Sequence, residues 1–119
     1  MAIRYYGELI VWQKAMDLAV QVYELTKILP KEEMYTLTSQ MRRCAVSIPS
    51  NIAEGHQRNS PKEYARYLTI ALGSQAELST QLILCTRLGY LTDVSEQQNL
   101  LAEVGKMLNT IIKKLTPNP

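Results

Sequence analysis

Residues Ser39 to Gly55 read SQMRRCAVSIPSNIAEG, and their spacing decides the fold class. Met41, Cys44, Ala45, Ile48 and Ile52 recur at helical intervals, so one face is built for burial. Arg43, Ser47, Asn51 and Glu54 form a second row at three- and four-residue steps, a polar seam along the same helix. Pro49 lies inside this pattern. Its missing N–H and the clash of its ring with the preceding turn predict a kink near Ala45. Gly55 reads as the left-handed stop.

Working outward, the same periodicity predicts helices over about 9–29, 36–54, 61–89 and 96–115, separated by short, well-punctuated breaks. Pro30 and the charged residues after it end the first. Ser60, Pro61 and Glu63 give the third an N-cap, a favourable first-turn proline and a capping box. Ser95 with Gln98 predicts a second box at the start of the fourth. No segment alternates with the period of a strand. Four long helices with short connections make antiparallel neighbours, so the expected fold is an all-α, up-down-up-down four-helix bundle in a single domain spanning 1–119.

Two rows exceed what a lone bundle requires. Val11, Leu18 and Leu25 are spaced by sevens, and Leu72, Ala76, Ser79 and Ile83 form a line of small and apolar residues. Val11, Leu18, Leu25, Leu72 and Ile83 are therefore candidates for an interface between copies. Seven Tyr, one Trp and no Phe agree, because tyrosine tolerates the partial wetting of interfaces. A curved helix burying more surface around one core is the plainer alternative. Gly73 reads as a close approach between two helix backbones, since glycine inside a helix costs about 1 kcal/mol relative to alanine.

The chain has 119 residues, 46% apolar and 20% charged, the composition of an ordinary soluble domain. No run approaches the ~18 apolar residues of a membrane span, and the start lacks the pattern of a secretory signal. Cys44 and Cys85 occupy core-like positions and read as buried free thiols of a cytoplasmic protein. A disulfide or redox pair is the lesser reading, and no C-x-x-C supports the redox option.

Net charge is only +2, so the chain is not a polycation that coats nucleic acid indiscriminately. Cations are nevertheless enriched locally. Arg42, Arg43, Arg58, Lys62 and Arg66 stand against Glu54 and Glu63, and Lys106, Lys113 and Lys114 add charge at the far end. The five between 42 and 66 are candidate nucleic-acid contacts. The polar seam keeps two readings. It is a buried network that fixes helix register, with Gln75 and Glu77 as partners on the third helix, or Arg42 or Arg43 with Asn51 touches phosphate or base edges.

Catalytic chemistry has little to stand on. His56 is the only histidine, in the turn between the second and third helices, and an idle exposed ring is its plainer reading. The paired Glu-x-x-His motifs of di-metal bundles are absent, as are zinc-ligand spacing and glycine-rich phosphate or dinucleotide loops. No catalytic residue, metal or cofactor is expected.

Several runs resemble a known family: Leu9 to Ala15, Leu37 to Ala45, Ser47 to Gly55 (SIPSNIAEG) and Ala71 to Leu78 (ALGSQAEL). Together they are similar to the bacterial four-helix-bundle proteins labelled 23S ribosomal-RNA intervening-sequence proteins, over nearly the whole chain. The resemblance implies a small antiparallel bundle assembling as a homopentamer, and no catalytic residues. A more distant likeness, to the accessory variability proteins of diversity-generating retroelements, implies contact with nucleic acid and a nucleic-acid-processing protein. The expected function is a non-enzymatic homo-oligomer that binds RNA or a nucleoprotein, with a protein-interaction scaffold free of nucleic acid as the alternative.

Overall fold

Local signals mark some of the helix ends and packing sets the rest. The computed structural model describes residues 5–116, and among these lie four α-helices: α1 (Ile10–Thr26), α2 (Ser39–Gln57), α3 (Pro61–Arg87) and α4 (Ser95–Leu115). A 3-10 turn at Tyr6–Glu8 precedes α1; a 3-10 turn at Lys31–Glu33 and a π turn at Met34–Thr38 lead into α2. The entry of α3 is as the sequence reads it: Glu63 N–H donates to Ser60 Oγ at 3.2 Å, with Pro61 in the first turn. The exit is a left-handed Gly89 (φ +80°), with Tyr90 N–H donating back to the Cys85 carbonyl at 2.9 Å.

Two local expectations, at Gly55 and at the start of α4, give way. Gly55 does not stop α2, which continues to Gln57; Asn59, at φ 59°, takes the left-handed position. Asparagine tolerates that conformation, which frees Gly55 for packing. Pro49 lies inside α2, which runs on through it as one helix. Its ring is buried against α1, and that burial offsets the roughly 3 kcal/mol a helix interior loses to proline. The α4 capping box does not form. Asp93 Oδ1 instead accepts from Ser95 N–H at 3.0 Å and Ser95 Oγ at 2.7 Å. Gln98 turns to α3, donating to the Ser79 carbonyl at 3.1 Å and accepting from Ser79 Oγ at 2.8 Å.

The helices pack in sequence order, α1 on α2, α2 on α3, α3 on α4 and α4 on α1, giving a rod of 47 × 25 × 21 Å. Antiparallel succession puts the α1 and α3 starts at the same pole as the α2 and α4 ends. Leu18, Met41, Ile48, Ile52, Leu78 and Leu108 are among the fully enclosed side chains. Here the interface expectation is corrected. Val11 (1% exposed) and Leu18 (0%) belong to the core, Leu25 and Leu72 are half-buried against it, and only Ile83 is exposed. A bundle helix touches two neighbours, so its buried arc takes in both the heptad row and the Ala15, Ala19, Val22 row.

Candidate functional site

The polar seam mostly serves the α2–α3 contact. Ser47 Oγ lies 2.8 Å from the Cys44 carbonyl and in hydrogen-bond contact with Ser74 Oγ, while Cys44 Sγ donates to the Ser74 carbonyl at 3.0 Å. Asn51 Nδ2 donates to the Ser47 carbonyl of its own helix at 2.7 Å. Burial, aided by the nearby Glu77 carboxylate, pushes the Cys44 thiol up to about 12, which disfavours the reactive thiolate. Arg43 makes no ion pair among the described residues and shares a shallow depression with Glu77. Gln75 is not a seam partner: it faces α4 and donates to the Leu101 carbonyl at 3.1 Å.

The five candidate cations separate into two places. Arg42 and Arg43 lie near the start of α2, about 24 Å along the helix from Arg58 at 1.5 Å per residue. Arg42 acts structurally. Its Nε donates to Thr26 Oγ1 at 2.8 Å, and its guanidinium sits 4.7 Å from the Tyr23 ring centre. Thr26, 2% exposed, in turn donates to the Val22 carbonyl at 2.8 Å, so Arg42 closes the end of α1.

Arg58, Lys62 and Arg66 do come together, around the α2–α3 turn. The buried Tyr67 ring carries the Arg58 guanidinium at 5.1 Å and that of Arg66 at 4.7 Å. Arg58 also donates to Glu54 (3.1 Å) and to Tyr67 Oη (2.7 Å), and Arg66 pairs with Glu63 at 3.2 Å. The Glu54 hydrogen bond holds Arg58 even more firmly protonated, and the Arg66 hydrogen bond lowers the Glu63 carboxyl below its usual range. Both arginines are therefore oriented and partly neutralised. Lys62 is exposed and in no ion pair among the described residues.

His56 sits beside this turn, edge-on to Tyr64 at 5.7 Å, in a shallow depression lined by no Asp or Glu among the described residues. An acid–base pair is not assembled there. Among the described residues, no cluster of three His, Cys, Asp or Glu side chains fits a metal ion.

The feature missed by the heptad reading is an apolar groove of about 510 Å³ between α1 and α2. Trp12, Met16, Val20 and Tyr23 form one wall, and Val46 and Pro49 the other. Val20 is 60% exposed and Met16, Tyr23 and Val46 each about 40%. The signal is present in sequence, because Trp12, Met16, Val20 and Tyr23 follow one another at four, four and three residues. Only packing distinguishes that row from the core-facing Val11, Leu18, Leu25 row.

Comparison with known proteins agrees with the architecture. No helix among the described residues is long and apolar enough to cross a membrane. No protein of curated function matches the chain. A crystal structure from Bacteroides thetaiotaomicron VPI-5482, a protein of unknown function from the S23 ribosomal protein family, superposes with a TM-score of 0.80. It is 31% identical, and the match covers 87% of this chain and 99% of that one. The sequence profile of the 23S rRNA-intervening sequence proteins matches residues 7–110. With the four-helix architecture and a match this long, the chain belongs to the 23S rRNA-intervening sequence protein family.

Proposed function

We propose that this protein is a non-enzymatic scaffold that assembles with copies of itself and carries RNA or a nucleoprotein on its surface. The observation that carries the reading is the α1–α2 groove. Its exposed Met16, Val20, Tyr23 and Val46 are contiguous, whereas exposed apolar residues scattered singly need no explanation. The groove's aromatic walls suit a face that is wet in the free subunit and dry in the assembly. A pentamer is the number the family resemblance implies. The scaffold reading without nucleic acid shares this groove and differs only in the second partner.

Trp12, the single tryptophan, lines the groove and packs edge-on to Tyr6 at 5.4 Å, so it reports on assembly directly. Its emission is expected to shift to the blue as protein concentration rises. In a Met16→Glu, Val20→Glu double variant it should stay red-shifted at every concentration, with helix content by circular dichroism retained. Identical, concentration-independent spectra for both proteins would contradict assembly through this face.

A further inference from the structure

We infer that the pole where α2 ends, α3 begins and α4 ends seats the phosphate backbone of a nucleic acid, with Lys62, Lys113 and Lys114 as its phosphate contacts. This rests on the proposed role of the surface as a carrier, but it moves the contact away from Arg42 and Arg43. Antiparallel packing brings Leu115 beside Asn59, Ser60, Pro61 and Tyr64, around a shallow depression of about 640 Å³. Lys62 follows Pro61 in the chain, and Lys113 and Lys114 lead into Leu115. Segments about 50 residues apart in sequence thus place their cations on one pole of the rod.

Charge balance distinguishes this pole from the other. Glu54 and Glu63 are engaged by Arg58 and Arg66, and the α1 start adds Glu8. Lys62, Lys113 and Lys114 are exposed and in no ion pair among the described residues. At the opposite pole Lys27, Lys31, Arg42, Arg43 and Arg87 are matched in number by Glu24, Glu32, Glu33, Asp93 and Glu96.

Helix stability explains only part of this arrangement. Lys113 and Lys114 complement the negative end of the α4 dipole, but Lys62 stands in the first turn of α3, where a cation opposes the dipole. A phosphate at the same place would be favoured by Lys62 and by the α3 dipole together. Cations drawn from two helices across a pole some 25 × 21 Å wide suit a chain of phosphates better than a single small anion. Exposed Tyr5, 4.6 Å from Tyr6 at the start of α1, is an aromatic surface at the same pole on which a base can stack. This favours a nucleic acid over an anionic membrane.

The test is binding of a fluorescein-labelled oligouridine by anisotropy, as a function of salt, with the solution mass of each protein measured in parallel. Three lysine–phosphate contacts on a single strand predict an affinity that falls about 20-fold for a fourfold rise in salt. Lys62→Gln, Lys113→Gln, Lys114→Gln should abolish most of that binding and its salt slope, while an Arg43→Gln, Arg87→Gln control keeps both. Unchanged affinity and slope in the lysine variant overturn the proposal, as does wild-type protein that binds phosphatidylserine vesicles but not oligouridine. An intact assembly that fails to bind at low salt also overturns the pole and leaves the scaffold reading standing. A lone subunit that binds with the expected slope supports the pole and removes the assembly.

Discussion

Leu18→Ala is expected to lower the unfolding free energy by about 2–5 kcal/mol, measured by denaturant titration at fixed protein concentration. Leu18 is 0% exposed and lies within the core, so truncation removes buried methyl groups and leaves a cavity that neighbouring helices fill only in part. Ile83→Ala is the comparison. Ile83 is 48% exposed on α3, and its truncation should change stability by no more than about 0.5 kcal/mol. Both residues belong to rows that look alike in sequence. If Ile83→Ala proved the more damaging of the two, the division of these rows between core and surface would be wrong.

The second large effect concerns two glycines. A Cβ added at Gly55 would lie 2.7 Å from Tyr67 Cβ, 3.1 Å from Tyr64 Cδ1 and 3.3 Å from the Tyr64 main-chain oxygen. None of these atoms is the free end of a flexible side chain, so α2 and α3 must separate to admit a methyl group. Gly55→Ala is expected to cost about 1–3 kcal/mol in overpacking, enough to outweigh the gain in helix propensity. At Gly73 nothing lies within 4 Å of such a Cβ, and the residue is exposed. Gly73→Ala should therefore stabilise α3 by about 0.5–1 kcal/mol. Melting temperatures of the two variants should move in opposite directions. A shift of the same sign in both would contradict the packing described for the α2–α3 contact.

These glycines show where sequence reading stops. Helical periodicity, Ser60 before Pro61 and Gly89 after α3 are local signals, and they are enough to give four helices and the antiparallel bundle. Which glycine meets a neighbouring helix depends on the rotation of α2 against α3, which no local pattern records. For that reason Gly55, read as a stop, is the close approach, and Gly73, read as a close approach, meets nothing. Asp93 displaces the expected Ser95 box because Gln98 has a better use across the interface, with Ser79.

The site divides in the same way. Clustering of Arg58, Lys62 and Arg66 is readable because they lie within a few turns of one another. The buried Tyr67 that orients both arginines carries no mark of its own in the sequence. Lys113 and Lys114 join the pole only through topology. Arg42 and Arg43 read as alternatives for one contact because they are adjacent, yet neighbours on a helix point about 100° apart. One closes α1 through Thr26, and the other shares a depression with Glu77.

The solution mass of the purified protein, by light scattering across micromolar concentrations, bears most directly on the claim that the α1–α2 groove is a self-assembly face. The expected result is a discrete multiple of the 13.5 kDa subunit, five copies by family resemblance, falling to one copy in the Met16→Glu, Val20→Glu variant. A wild-type mass of 13.5 kDa throughout that range would contradict it.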